Sequence, residues 1–126
     1  MRQAVPSKAA FTLVEVMIVV ALVGLLAAIA IPNIVRAREQ SQVNACINNL
    51  RQIDDASQQW GLENNKPSSA DVHFDDIKGY LKSQVVCPAA GGTASFDTSY
   101  TLTTISNKPL CKLFPDTHLL PLDTTN

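Results

Sequence analysis

The sequence predicts an α+β fold, in which one long N-terminal α-helix packs against a small antiparallel β-sheet. Three features of the 126-residue chain support this fold class. They are an apolar run over residues 11–31, a helical apolar stripe that follows it, and short alternating segments near the C-terminus. A chain of this length accommodates one small domain and an accessory element.

The apolar run FTLVEVMIVVALVGLLAAIAI holds one charged residue, Glu15. As a helix, a run of this length extends about 31 Å, which matches the ~30 Å hydrocarbon core of a bilayer. It is longer than the apolar region of an ordinary signal peptide, and no Ala-x-Ala cleavage site follows it. We therefore expect a basic leader over residues 1–10 and a retained transmembrane helix over residues 11–35. Pro32 is expected to kink the helix without ending it.

A second, amphipathic half of the same helix is predicted over residues 36–66. Apolar and small side chains recur there at spacings of three and four, which places them on one helical face. The predicted end of the helix lies at Asn64, Asn65 and Pro67. The face consists of Val43, Cys46, Leu50, Ile53, Ser57 and Trp60.

Residues 67–126 form a small distal region in this prediction. A short helix is expected to begin at Ser69 as N-cap and to extend to Leu81. The alternating segment 100–105 and the segment 110–114 predict a β-hairpin, and residues 123–126 are expected to form a loose tail. About sixty residues make a thin core, so a staple would help this region to fold.

Charge and motif content exclude several functions. Removal of residues 1–10 leaves eight basic and eleven acidic residues, a net charge of −3, so we expect no general nucleic-acid binding. A local basic patch at Lys108 and Lys112 stays open. The chain contains no phosphate loop, nucleophile elbow or HExxH motif, so it is not expected to be an enzyme or to need a cofactor. Asp116 and Asp123 lack the ligand spacing of a calcium loop.

A basic leader, the sequence FTLVE, an apolar helix and a proline shortly after it together resemble the N-terminus of type IV prepilins and type II secretion pseudopilins. The resemblance covers residues 1–65 and implies a pilin-like fold. It also implies that a prepilin peptidase cleaves between Ala10 and Phe11 and methylates the new amino group of Phe11. Ala10 departs from the pattern, because the family's usual residue there is Gly. Pro32 matches the family's helix-breaking proline.

The resemblance further implies where the chain resides and what it assembles with. The subunit would wait in the inner membrane as a single-pass protein, with its N-terminus cytoplasmic and its C-terminal domain periplasmic. The charges of Arg2 and Lys8, against Arg36 and Arg38, lean slightly the same way. An inner-membrane assembly platform would then add it to identical or related subunits in a periplasmic or extracellular filament, where pilin contacts replace membrane lipid.

The resemblance implies a role for Glu15 in filament assembly. A carboxylate inside a membrane span is costly, about 2.5–3.5 kcal/mol at the helix centre, although Glu15 lies near one interface. Pairing with the Phe11 ammonium of a neighbouring subunit would fix the assembly register more than it adds stability. Because Phe11 and Glu15 are also four residues apart in one helix, pairing within a subunit stays open. Gly24 and nearby alanines let helices approach closely.

The cysteines leave several alternatives open. The resemblance implies a Cys87–Cys111 disulfide, Cys46 could instead pair with either one, and the absence of any disulfide is the third alternative. Cys46, Cys87, Cys111 and His118 are also a chemically valid Cys3His zinc set. The sequence lacks a CxxC pair and the spacings are long, so no metal site is expected.

Two other functions compete with a filament subunit. One is an uncleaved, signal-anchored periplasmic binding or sensor module, in which Glu15 would be an ordinary interfacial residue. The other is a DNA-uptake pilin, which the net charge of −3 disfavours.

Overall fold

The computed structural model describes residues 10–82 and 85–121. The predictions for leader residues 1–9, for Asp123 and for the tail at 123–126 lie outside these residues. The chain divides into two compact units, Met1–Ala37 and Arg38–Asn126. The helices are α1 (Leu13–Glu63), α2 (Phe74–Ile77), a 3-10 helix (Pro88–Ala90) and α3 (Phe96–Ser99), and the strands are β1 (Tyr100–Thr101) and β2 (Leu110–Cys111).

Helix α1 includes Pro32 in its interior, so the expectation that this proline does not end the helix is confirmed. Proline has no N–H group, and the carbonyl of Ala28 therefore lacks its usual helical donor. The helix terminates through a left-handed Asn65 with φ of 50°. The N–H of Lys66 returns to the carbonyl oxygen of Gly61 at 2.9 Å, which is the Schellman arrangement.

The first unit is a helical segment whose side chains are exposed. From Phe11 to Val35 the large apolar side chains are 51% to 82% exposed. Among the described residues, α1 alone is long and apolar enough to cross a membrane by length and composition. This segment obtains its order from backbone hydrogen bonding rather than from a core of its own.

The second unit contains the hydrophobic core. Cys46, Leu50, Ile53 and Ser57 of α1 are fully buried, which confirms the predicted apolar stripe. Val43 and Trp60, at its two ends, are half-buried. The core is completed by residues from the rest of this unit, among them Val72, Ile77, Val85, Phe96, Tyr100 and Leu120.

The predicted hairpin exists, but its strands are shorter than expected. β1 and β2 pair antiparallel with Tyr100 opposite Cys111 and Thr101 opposite Leu110. The rest of the expected first strand pairs elsewhere: the N–H of Val72 donates to Thr103 O at 2.9 Å, and the N–H of Ile105 donates to Ala70 O at 3.1 Å. A competing antiparallel partner therefore ends β1 after two residues.

The short helix also begins later than predicted. Its N-cap is His73, so the prediction of Ser69 as N-cap is wrong. Ser69 lies in the segment that pairs with residues 103–106, where the N–H of Ser106 donates to Ser68 O at 2.9 Å. The carboxylate of Asp76 accepts a hydrogen bond from the His73 N–H at 3.0 Å and fixes the start of α2.

Candidate functional site

The Ala10–Phe11 peptide bond lies outside helix α1. Ala10, Phe11 and Thr12 have no regular secondary structure and are exposed, and the helix begins at Leu13. The Thr12 side-chain oxygen accepts a hydrogen bond from the Glu15 N–H at 3.3 Å, so Thr12 caps the helix. The Ala10–Phe11 peptide bond is therefore accessible and non-helical.

Glu15 occupies the first turn of α1, where the partial positive charge of the helix N-terminus favours a carboxylate. Thr12 and Glu15 have the spacing of a capping box. This local role was not predicted, although the sequence T-L-V-E at residues 12–15 has the capping-box spacing. Glu15 thus has a reason to be near the helix start that does not involve a neighbouring subunit.

Phe11, just before the helix, and Glu15, in its first turn, line one shallow hollow. Val16, Val19 and Val20 form the rest of its lining. At Gly24, a side-chain carbon would meet no atom within 4 Å, so the backbone is open to close approach there. The structure therefore presents the predicted assembly residues on an uncovered surface.

In the second unit, the structure brings four chemically related side chains together. Cys46 lies on α1, Cys87 precedes the 3-10 helix, Cys111 lies on β2, and His118 follows in the C-terminal segment. Their ligand atoms all lie within 4.8 Å of one another, and all four residues are buried. No disulfide joins these three cysteines in the structure. This does not test the predicted Cys87–Cys111 pairing, which stays a prediction.

Burial governs the protonation of these groups. It raises the pKa of the Cys46 thiol well above its ordinary value, and also raises that of Cys87. It lowers the pKa of His118, which therefore favours the neutral imidazole. Burial thus favours a neutral thiol at Cys46 and Cys87 and a neutral imidazole at His118.

The other candidate residues do not converge. His73 and Asp116 are exposed, and the pair Asp75 and Asp76 lies at the start of α2. The side chain of Lys108 donates to Pro121 O at 3.1 Å. That of Lys112 donates to Asp97 O at 2.6 Å. These two lysines serve the backbone of their own region.

An exposed apolar helix with a capped start, joined in sequence to a small α+β region, defines a prepilin-type filament protein. Residues 6–31 match the family model described as the prokaryotic N-terminal methylation motif. The chain is 32% identical over 80 residues to competence protein ComGC of Bacillus subtilis (strain 168), which is 62% of this chain and 79% of that protein.

Two further relatives belong to pili and secretion systems. Type IV major pilin protein PilA of Myxococcus xanthus (strain DK1622) is 35% identical over 88 residues, 68% of this chain and 40% of that protein. Type II secretion system core protein G of Aeromonas hydrophila is 27% identical over 67 residues, 53% of this chain and 47% of that protein. The chain thus spans less than half the length of these two relatives. No solved structure shows a significant match.

The chain therefore belongs to the type IV pilin and pseudopilin family. This confirms the resemblance and the pilin-like α+β fold. The names of these relatives describe a pilin, a secretion-system core protein and a competence protein, which agrees with the prediction that the chain is not an enzyme.

Proposed function

We propose that this chain is a structural subunit of a type IV pilus-like or type II secretion pseudopilus filament. The observation that carries the proposal is the uncovered apolar helix over residues 11–35, all of whose large apolar side chains are at least half exposed. Exposed apolar area of this extent requires a cover, which is lipid before assembly and the helices of neighbouring subunits afterwards. The family relatives support the filament as the final state.

Processing precedes assembly in this proposal. A prepilin peptidase cleaves between Ala10 and Phe11 and methylates Phe11. The accessible, non-helical bond at this point supports the proposal, as does the match of residues 6–31 to the methylation motif. Cleavage leaves Thr12 as the helix cap and creates an α-ammonium close to the capped end.

Glu15 and the new ammonium of Phe11 then set the assembly register. In an apolar filament core, an unpaired charge is heavily penalised, so only the subunit arrangement that neutralises both groups is tolerated. The pairing partner is either the neighbouring subunit or the same chain, since both groups line one hollow. Gly24 contributes by allowing close approach of helices.

The chain resides in the inner membrane until an assembly platform extracts it. Its N-terminus faces the cytoplasm and its second unit the periplasm, and the assembled filament is periplasmic or extracellular. The apolar helix and the pilin relatives support this location.

A second candidate is a DNA-uptake pilin, because one relative is named a competence protein. Filter binding of DNA across a salt series tests it. A steep loss of binding with salt would support it, and no binding at low salt would exclude direct DNA contact.

The primary test is the intact mass and the N-terminal sequence of the protein extracted from native membranes. We expect a chain that begins at N-methyl-Phe11. The matched control is Ala10→Gly, which restores the family's usual residue and should be processed at least as completely. A chain that still begins at Met1 would overturn the proposal and favour an uncleaved, signal-anchored module.

A further inference from the structure

The buried cluster of Cys46, Cys87, Cys111 and His118 has the dimensions of a metal site. In a tetrahedral zinc site, two thiolate sulfurs are about 3.8 Å apart, and a sulfur and an imidazole nitrogen about 3.5 Å. The sulfurs of Cys87 and Cys111 are 3.9 Å apart. Nδ1 of His118 lies 3.8 Å from the Cys111 sulfur and 3.9 Å from the Cys87 sulfur. A contraction of a few tenths of an ångström would bring these three edges to the distances of a zinc site, and the edges to the Cys46 sulfur are at most 4.8 Å long.

The four residues converge from well-separated parts of the sequence. Cys87 and Cys111 are 24 residues apart, and Cys111 and His118 are seven apart. Cys46 comes from the long helix α1. No local sequence pattern such as a CxxC pair marks this cluster. The fold, rather than a short motif, assembles the donors.

A second layer of groups surrounds the sulfur of Cys46. The side-chain amide of Asn49 donates to the Tyr100 hydroxyl oxygen at 3.1 Å and to Val86 O at 2.8 Å. Because the Tyr100 oxygen accepts from Asn49, its own proton is available to the Cys46 sulfur, 3.6 Å away. Hydrogen-bond donors of this kind orient and stabilise coordinating thiolates.

The Cys87 sulfur also has a donor, the backbone N–H of Ala89.

An ion could reach the cluster from the surface. An open groove borders His118, and its lining includes Glu39, Gln42 and Phe114. The ring of Phe114 lies against the imidazole with centroids 4.8 Å apart, which fixes the ring plane.

From this geometry we propose that Cys46, Cys87, Cys111 and His118 bind one zinc ion as a closed structural site. Three thiols give up their protons to solvent and the imidazole binds through Nδ1. The site then carries a net charge of −1, and no electron is transferred. Four protein ligands leave no open position for catalysis, and soft thiolate donors in a tetrahedron select zinc.

The zinc ion would tie helix α1 to three later segments of the second unit. Its core is small, and a metal in such a domain contributes folding free energy directly. The ion would perform the stapling that a disulfide performs elsewhere. This inference concerns the second unit alone and does not depend on cleavage or filament assembly.

The test uses the full-length chain, extracted from native membranes in a nonionic detergent through an affinity tag that binds no metal. Zinc is measured by elemental mass spectrometry after gel filtration in metal-free buffer. We expect one zinc per chain, and three reactive thiols only after a chelator and a denaturant are added. A zinc-free chain with one reactive thiol, which a Cys87–Cys111 disulfide would leave, overturns the proposal. A zinc-free chain with three reactive thiols overturns it equally.

Substitution with Co²⁺ reports on the donor set. The apo chain titrated with Co²⁺ should show the visible absorption of a tetrahedral ion together with a sulfur-to-metal charge-transfer band. The weak spectrum of octahedral Co²⁺ would contradict the proposed geometry. This measurement needs no mutation and therefore remains decisive if a variant fails to fold.

Matched variants locate the ligands. His118→Ala should lower zinc affinity by more than the 10–100-fold that loss of an outer-shell partner costs, whereas the exposed His73→Ala should leave it unchanged. Cys46→Ser should release zinc, yet it would spare a Cys87–Cys111 disulfide. Tyr100→Phe, which keeps the ring and removes the hydroxyl, should weaken zinc binding about tenfold. Unchanged zinc affinity in both His118→Ala and Cys46→Ser would overturn the assignment.

Discussion

The two units of this chain contain the same types of apolar residue, but the first unit exposes them and the second unit buries them. Leu22, in the first unit, leaves 57% of its surface exposed, whereas Leu50, on the same helix but in the second unit, is fully buried. Helical propensity is equal at the two positions, so the difference lies in what covers the side chain. The first unit needs a cover from outside the chain, and the second unit contains its own.

The largest difference between the units should appear in a pair of leucine truncations. Leu50→Ala should lower the free energy of unfolding of the second unit by about 2–5 kcal/mol, because it leaves a cavity in a small core. Leu22→Ala should change it by less than about 0.5 kcal/mol. Trp60 is the chain's one tryptophan and lies in the second unit, so its fluorescence during urea unfolding in nonionic detergent measures the effect.

The truncation pair has a clear contrary outcome. An equal loss of stability from both substitutions would mean that the apolar face of the first unit already packs within the monomer. Ile53→Ala and Ile29→Ala repeat the comparison with a different side chain, buried in one unit and exposed in the other.

Glu15→Leu should reduce the assembly of the first unit into filaments. The substitution removes a charge from an apolar surface, so membrane insertion should be unaffected or improved. Incorporation into filaments should fall at least about tenfold, equivalent to about 1.4 kcal/mol, because the Phe11 ammonium loses its partner. Quantification of sheared filaments against total membrane protein measures the ratio.

A control separates the register role of Glu15 from its helix-capping role. Glu15→Gln keeps a capping-box side chain but loses the charge, so it should assemble as poorly as Glu15→Leu. The exposed Glu39→Gln, in the second unit, should assemble normally. If Glu15→Leu enters filaments at the wild-type level, the register role is excluded.

The same division explains how much of the structure the sequence could predict. Periodicity at spacings of three and four marked the buried face of α1, because helical geometry is local. The strand lengths were wrong because Thr103 and Ile105 found a better partner in residues 70–72, and a single-sequence pattern does not show such competition. The prediction of Ser69 as N-cap was wrong for the same reason, because its segment pairs with residues 103–106.

The candidate sites follow the same rule. Phe11 and Glu15 lie in one short motif, so their proximity could be read directly. Tertiary structure alone brings together Cys46, Cys87, Cys111 and His118, so the sequence shows that these residue types are present but not that they meet. The three-dimensional structure adds the information that residues far apart in the sequence lie close together.

A smaller effect is expected inside the second unit at Ser99. Its hydroxyl oxygen is buried. Among the described residues, it is the only buried side-chain oxygen or nitrogen that lacks a hydrogen-bond partner. Ser99→Ala should therefore stabilise this unit by about 1 kcal/mol, because it removes an uncompensated desolvation cost. The urea midpoint, followed through Trp60, measures the change.

Ser57 is the matched control for Ser99. It is equally buried, but its hydroxyl donates to Asp54 O at 2.8 Å. Ser57→Ala should lower stability by about 0.5–1.5 kcal/mol. Destabilisation of similar size at both serines would show that the Ser99 hydroxyl is satisfied in solution.

The smallest predicted effect depends on pH and lies at the end of α1. The Tyr80 hydroxyl donates to a carboxylate oxygen of Glu63 at 2.6 Å, and the Gln59 amide donates to the other oxygen at 3.0 Å. These hydrogen bonds, with that from Tyr80 the larger, hold the pKa of Glu63 below its ordinary value. A lowered folded-state pKa gives stability that is present above the unfolded-state pKa and is lost as pH falls through the folded-state pKa.

Tyr80→Phe should therefore reduce stability slightly at neutral pH and have no effect once Glu63 is protonated. Tyr80 is half-buried, but Glu63 and the hydrogen bond between the two side chains are exposed to solvent, which keeps the difference small. Urea unfolding at pH values above and below the titration of Glu63 measures it. Glu63→Gln should abolish the pH-dependent part, and the double variant should lose no more of it than Glu63→Gln alone, because the two residues share one interaction. A Tyr80→Phe effect that persists unchanged in acid would instead show that the Tyr80 hydroxyl does not stabilise the fold through the ionised Glu63 carboxylate.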